Sequence, residues 1–414
     1  KIMSMNIKEI NNCEVCDSND LISVLNLGDL PMCDDLIPVG SDRECLNYPT
    51  EILFCESCKT AHQKYQIKKE ILFNDSYHYR ARFTLDVING MKELVASTKS
   101  LIGELSKKKI LDVGCNDGSL LDFFRNEGAE TFGVEPTDAV LDAKEKKHVT
   151  YKEYLTPDVS KKIINENGKM DIVSFTNVFA HIDDLRQLIH SVKLLLHKES
   201  TVVIENHYLG SILKNYQFDT FYHEHPRTYS LSSFMRIADS LNMKISKIEF
   251  PSRYGGNIRI FMRHKNIDEN VCENIDIQSV LENEKTFSFL FQEMKKKIEI
   301  WKENKTNQIN NLLENHNEIL AKAFPGRAAI LMKMLGLDYP KVLAVFEKSG
   351  SKKIGHYVPG TRIPILSDDD LFEKNNLNKP LMNLAWHIPE EIRSYLKENN
   401  FKGDVFEIIN LNDW

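Results

Sequence analysis

Apolar runs separated by helical stripes dominate the middle of this 414-residue chain. The stretch Lys109-Ile110-Leu111-Asp112-Val113-Gly114 reads as a buried strand that runs into a tight glycine turn, and from Met91 the apolar positions before it fall at helical spacing. Further strand candidates follow over 131–134, 171–175 and 201–204, each separated by a helical-looking stretch. That alternation predicts a doubly wound, Rossmann-like α/β domain, a parallel sheet with helices on both faces. Ahead of it, residues 1–85 carry short alternating apolar stretches such as Thr50-Glu51-Ile52-Leu53-Phe54 and the turn former Pro31, the pattern of a small, loop-rich β domain. Between 266 and 320 the chain is rich in lysine, glutamate and asparagine, yet Phe287, Leu290, Phe291, Met294, Ile298 and Trp301 keep a helical stripe that core packing explains. Beyond Pro325-Gly326 a second α/β pattern appears, with strands expected near 342–346, 381–386 and 405–409. The expected organisation is an N-terminal β domain over 1–85, the α/β domain over 86–265, a helical connector over 266–320 and a C-terminal α/β domain over 321–414.

Composition narrows the function classes. A hydrophobic fraction of 42% and a charged fraction of 27% are those of a chain that folds throughout. Its length exceeds what one core supports, in keeping with several domains. The net charge is -7 and the basic residues form no block, so no electrostatic footprint for nucleic acid is present. No apolar run reaches the ~20 residues that cross a bilayer, and the expected location is the cytoplasm. Eight cysteines in such a chain are better read as metal ligands and buried thiols than as a disulfide framework.

Four of them stand as two C-x-x-C pairs, Cys13 with Cys16 and Cys55 with Cys58, while Cys33, Cys45, Cys115 and Cys272 are unpaired in sequence. Each pair places two sulfurs on one turn, and two such turns complete the tetrahedral thiolate shell that Zn²⁺ favours. A four-sulfur shell is closed to water and substrate, so the zinc is expected to be structural.

The stretch from Asp112 to Leu121 contains a different kind of site. Glycines at 114 and 118 allow close backbone approach to a ligand, and the helix that starts after them offers its first amides to a carboxylate. About twenty residues on, Glu135 ends the next strand, where an acid hydrogen-bonds both hydroxyls of a ribose. A dinucleotide fingerprint has its glycines as G-x-G-x-x-G; here the spacing is Gly114-x-x-x-Gly118, which points to S-adenosylmethionine. The candidate cofactor residues are Asp112, Gly114, Asn116, Asp117, Gly118, Leu120 and Glu135. After the fourth strand come Asn206-His207-Tyr208 and Gln217-Phe218-Asp219-Thr220-Phe221-Tyr222-His223-Glu224-His225, a run of ionisable and phenolic groups that is costly to bury unless paired or used.

With these segments the chain resembles, over nearly its whole length, the bacterial sugar C-methyltransferases of branched-chain deoxysugars, the group that contains the tetronitrose, mycarose and noviose C-methyltransferases. The resemblance rests on the paired cysteines, the Asn116-Asp117-Gly118 turn, Asn177-Val178-Phe179-Ala180-His181-Ile182 and the Tyr222-His223-Glu224-His225 block. Tyr254-Gly255-Gly256-Asn257-Ile258-Arg259 and Tyr357-Val358-Pro359-Gly360-Thr361-Arg362 look like later family segments. It implies that His225 is a general base, that Glu224 holds sugar hydroxyls, and that Tyr222 with Tyr77 or Tyr79 donates hydrogen bonds to a keto oxygen. It further implies that His181 lies near the point of methyl transfer, that Asn177 belongs to the cofactor site, and that the substrate is a nucleotide-linked keto-deoxysugar. Methylation of a sugar hydroxyl, or a non-catalytic assembly role, remains an alternative on the same scaffold. The chain departs from the family at Pro226-Arg227-Thr228-Tyr229, at Ala323-Phe324-Pro325-Gly326-Arg327, at Phe346-Glu347-Lys348-Ser349 and around Arg80.

Overall fold

The computed structural model of the chain describes residues 7–72, 85–267 and 275–414. They fall into two compact units, one drawn from 7–23, 53–72, 85–215, 224–267 and 275–288, the other from 24–52, 216–223 and 289–414. The N-terminal region contains β1 (Ile7–Glu9), β2 (Leu21–Pro31), β3 (Ile37–Pro38), β4 (Asn47–Cys55), β5 (Thr60–Gln63) and β6 (Tyr65–Ile67). Antiparallel pairing of β1 with β6 sets Ile7 opposite Ile67 and brings the two cysteine pairs to the same end of the first unit.

The first unit is built on a seven-stranded sheet. Its strands are β7 (Lys109–Val113), β8 (Glu130–Val134), β9 (Val149–Tyr151), β10 (Met170–Thr176) and β11 (Leu196–His207), followed, after the two-residue β12 (Arg227–Thr228), by β13 (Met243–Glu249) and β14 (Asn257–His264). The spatial order is β13-β14-β11-β10-β7-β8-β9. The first five strands are parallel, as the alternation predicts. Of the last two only β14 is reversed: it runs antiparallel to β11, and β13, antiparallel to β14, returns to the common direction. The connection over 250–256 is too short for a crossover, so these strands form a hairpin on the sheet edge.

Ile110, Leu111, Val113, Ile172, Val173, Phe175, Val202, Val203 and Ile204 are all buried, which requires cover on both faces of the sheet. On one face Ile110, Ile172 and Val203 share a core with Val87, Met91 and Leu94 of the helix Leu85–Ile102 and with Leu120, Leu121 and Phe124 of the helix Ser119–Asn126. Burying each such side chain contributes roughly 1.5–3 kcal/mol. The chain winds one way from β7 to β8 and β9 and the other way from β10 to β11, so the order reverses between β7 and β10. In open α/β sheets the crevice at the carboxyl ends of the strands on either side of that reversal takes the ligand.

In the second unit β15 (Ile319–Lys322), β16 (Val342–Glu347), β18 (Ile365–Ser367), β19 (Leu381–Asn383) and β20 (Val405–Glu407) form a parallel sheet in the order β18-β16-β15-β19-β20. The short β17 (His356–Tyr357) pairs instead with β3. The strand expected over 381–386 stops at Asn383, because the Asn383 amide donates to the Ala385 carbonyl at 3.2 Å and its Oδ1 accepts the Ala385 N–H at 3.0 Å, closing a turn. A single helix, Phe287–His316, carries the predicted stripe. Phe291, Met294, Ile298 and Trp301 are buried, Leu290 only partly. The Trp301 indole donates to the Ile408 carbonyl at 2.8 Å, which satisfies its one buried polar group. Among the described residues no helix is long and apolar enough to cross a membrane.

Candidate functional site

The two cysteine pairs sit on turns of the same design. The Asp17 N–H donates to the Cys13 carbonyl at 2.9 Å and the Lys59 N–H to the Cys55 carbonyl at 2.8 Å. Asp17 and Lys59, each the residue after the second cysteine of its pair, adopt left-handed φ of 60° and 56°. These turns aim all four sulfurs inward, so that Cys13, Cys16, Cys55 and Cys58 lie within 4.8 Å of one another. The Cys13 and Cys58 sulfurs are 3.4 Å apart, those of Cys16 and Cys55 3.6 Å. Tetrahedral coordination with Zn–S bonds of about 2.3 Å separates sulfurs by about 3.8 Å, so the donor set fits zinc with little movement. Cys33, Cys45 and Cys115 stand apart from this cluster, and Cys272 lies outside the described residues.

At the carboxyl end of β7 the backbone turns through three left-handed residues, Gly114 (φ 75°), Asn116 (φ 50°) and Gly118 (φ 77°). Gly118 caps the helix Ser119–Asn126, and Asp117 accepts hydrogen bonds from the Ser119 N–H at 3.1 Å and hydroxyl at 2.6 Å. Thus Asp117 shapes the turn, and Leu120 belongs to the core beneath it. Glu135, buried at the end of β8, accepts the Asn116 N–H at 3.1 Å through one carboxylate oxygen. The other oxygen accepts the Thr137 N–H and hydroxyl at 3.0 and 2.8 Å. Its carboxylate is therefore fixed against the glycine turn with acceptor capacity left for hydroxyl donors. Asp112 lies two residues before Gly114 and accepts the Ser174 hydroxyl at 2.6 Å. Burial, reinforced by the charge of Glu135, pushes its carboxyl up to about 7 against the pull of Ser174. Asn177, with φ 53°, begins the turn after β10 and donates its N–H to the Glu205 carbonyl at 2.7 Å.

That turn continues into the short 3-10 helix Phe179–His181. The His181 and His225 ring centroids are 4.6 Å apart, and that of His207, the last residue of β11, lies 5.6 Å from that of His225. Three imidazoles thus gather at the carboxyl edge of the sheet. His181 Nδ1 lies 2.8 Å from the Glu224 carbonyl oxygen. A carbonyl only accepts, so Nδ1 bears a proton and a neutral ring presents Nε2 as acceptor. Glu224 and His225 are buried. His207 stands in the run that the sequence singles out after the fourth strand, at the carboxyl edge of the sheet, with no role expected of it there.

The rest of the block lies in the second unit. Tyr222 is half-buried there. His223 is buried with its Nε2 2.9 Å from the Thr50 hydroxyl, and burial pushes its imidazole down to about 4 despite backbone hydrogen bonds at Tyr48 and Pro49. A neutral, packed imidazole is a structural part. Asp219 accepts the Trp386 indole N–H at 3.0 Å and pairs with Arg327 at 3.4 Å. Tyr77 and Tyr79 lie outside the described residues.

Sequence reasoning also passed over a buried carboxylate. Glu205 of β11 accepts hydrogen bonds from Asn257 at 3.0 Å and from Arg259 at 2.7 Å, and pairs with Arg253. These partners come from β14 and from the connection that joins it to β13, so Glu205 ties the edge hairpin to the strand that carries His207.

Three sequence-family models match the chain in succession: a zinc binding domain over residues 13–73, a methyltransferase domain over 88–247 and a C-methyltransferase C-terminal domain over 252–408. The C-methyltransferase NovU of Streptomyces niveus is 25% identical over 407 residues, which covers 97% of this chain and 95% of that protein. A ubiquinone biosynthesis O-methyltransferase of Acinetobacter baylyi is 30% identical over 98 residues, 23% of this chain and 41% of that enzyme. Among solved structures, the PH0226 protein of Pyrococcus horikoshii is similar at a TM-score of 0.37 and 14% identity, covering 47% of this chain and 98% of that one. The magnesium protoporphyrin IX methyltransferase of Synechocystis, solved with bound SAH, is similar at a TM-score of 0.35 and 15% identity, covering 44% and 84%.

Proposed function

We propose that the chain, an S-adenosylmethionine-dependent methyltransferase, methylates a carbon beside a ketone in a nucleotide-linked deoxysugar, with His225 as the base. The observation that carries the proposal is the imidazole cluster: His225 stands 4.6 Å from His181 and 5.6 Å from His207, at the sheet edge where the cofactor turn ends. A C–H beside a ketone becomes nucleophilic carbon only when a base takes its proton and donors stabilise the charge that passes to the carbonyl oxygen. His225 takes that proton. Glu224 holds sugar hydroxyls, and its backbone carbonyl orients His181 beside the reacting carbon.

Asp112, Gly114, Asn116, Gly118, Glu135 and Asn177 form the cofactor site in this reading, with Glu135 on the ribose, while Asp117 shapes the turn and Leu120 packs in the core beneath it. When bound, the cofactor supplies a methyl group on a sulfonium for in-line attack. The zinc is structural, since four sulfurs leave it no open position. NovU supports carbon as the accepting atom, because its similarity runs through the whole chain, C-terminal domain included.

The test is hydrogen exchange. Enzyme incubated with a nucleotide-linked keto-deoxysugar and the demethylated cofactor in deuterated water should exchange the hydrogen beside the ketone. His225→Ala should lose exchange and methyl transfer by at least ~10²-fold while it still binds S-adenosylmethionine. An active His225→Ala enzyme removes the base from this reading, and a methyl ether in the product moves the acceptor from carbon to oxygen.

A further inference from the structure

Two residues beyond His225 lies a guanidinium with no exposed surface. Arg227 Nε donates to the Tyr229 hydroxyl at 2.8 Å, Nη1 to Glu14 at 2.7 Å and to the Asp183 carbonyl at 3.2 Å, and Nη2 to the Ile182 carbonyl. Each of these partners has a meaning. Glu14 sits between the two cysteines of the first knuckle, directly after Cys13. Ile182 and Asp183 are the two residues after His181. Tyr229 packs its ring 5.3 Å from that of Phe179, two residues before His181. Arg227 therefore grips the His181 turn from both sides and anchors it to the knuckle.

The backbone locks the same junction. Arg227 pairs with His62 across the β12–β5 ladder, the Gln63 N–H donates to the Pro226 carbonyl at 2.8 Å, and His62 Nε2 accepts the Glu14 N–H at 3.2 Å. Gln66 adds a hydrogen bond to Glu14 at 2.6 Å. A buried arginine is costly unless its planar fork is matched, and this fork meets a carboxylate, a phenol and two carbonyls at once. A lysine carries the same charge but reaches these partners with one point of attachment.

We propose that Arg227 is a positioning residue, which transmits the rigidity of the zinc-bound knuckle through Glu14 to the His181–His225 pair. The inference rests on the reading of this pair as the reacting site. Its consequence is that the metal, though closed to substrate, sets the geometry of catalysis, and that Glu14 and Arg227 act as one device.

Arg227→Lys, Glu14→Ala and the double variant test it. The measurements are kcat, KM, the Kd for S-adenosylmethionine by calorimetry, zinc content, and the rate of zinc release to a chelator. Arg227→Lys should lower kcat ~10–100-fold, the cost of a small misplacement of reacting groups, with KM, cofactor Kd and one zinc per chain kept. Zinc release should be faster than in the wild type. Glu14→Ala should change the same quantities in the same direction, and the double variant should be no worse than the worse single. Losses that multiply, or a lowered melting temperature with kcat intact, overturn the proposal. Should Arg227→Lys not fold, Glu14→Ala decides alone: an unchanged kcat overturns the device. Zinc release reads the Arg227–Glu14 link without turnover, so an active His225→Ala enzyme would sink the base assignment while leaving that link separately measured.

Discussion

Gly114 packs directly against Val178: a Cβ added to the glycine would stand 2.4 Å from Cγ2 of the valine. The glycine turn after β7 and the turn that leads to His181 after β10 are therefore in van der Waals contact. Gly114 also has a φ of 75°, where a side chain costs roughly 1–2 kcal/mol. Gly114→Ala should lower the melting temperature and weaken S-adenosylmethionine binding at least ~10-fold, because strain and collision both act on the same turn. A calorimetric titration with unchanged affinity would show that the turn does not meet the cofactor.

Glu135 reaches the Asn116 amide at 3.1 Å and so stands at the mouth of that turn. Hydrogen bonds to charged groups contribute about 1.5–3 kcal/mol, and Glu135→Ala should raise the cofactor Kd by the corresponding ~10–100-fold. The same titration checks it, with Glu135→Gln retaining an intermediate affinity.

The thiolate cluster predicts one zinc per chain by elemental analysis. Cys55 is fully buried at its centre, and Cys55→Ser should cost folded, soluble protein before it costs chemistry. Soluble, cooperatively unfolding wild-type protein without zinc would contradict the assignment.

His223 predicts a pH dependence of stability. Burial holds its folded imidazole at about 4, against an ordinary 6.5, so between these values the unfolded chain binds a proton that the folded chain does not. Its contribution is complete above pH 6.5 and is lost as pH falls toward 4, by at most about 1.4 kcal/mol per pH unit. Denaturant unfolding from pH 7 to 5 should show the wild type losing more stability than His223→Gln. Parallel slopes would refute it.

Asp112 works in the opposite direction. Its folded carboxyl is raised to about 7, so its stabilising proton is fully bound below 3.8 and its contribution is lost as pH rises through 7. Asp112→Asn keeps a neutral group there and should be more stable than the wild type at pH 8 and closer to it at pH 5. Unfolding curves at the two pH values decide the matter.

The cysteine pairs, the glycine turn with Glu135 and the apolar runs of four of the seven strands in the first sheet and three of the five in the second are legible in the sequence because each depends on spacing within a few residues or on a regular period. A C-x-x-C turn needs only its own backbone to aim two sulfurs, and β7 declares itself as an apolar run that ends at Gly114. Tertiary structure alone decided the rest. The hairpin of β13 and β14 turned antiparallel because of a short connection, and Asn383 ended its strand with its own side chain. His207 joined His181 and His225 only when three different segments met at one edge. Arg227 found Glu14 across 213 residues of chain, a contact that leaves no period or motif in either neighbourhood. Burying a guanidinium is tolerable only when every partner arrives together, and no stretch of sequence records that condition until the whole chain has folded.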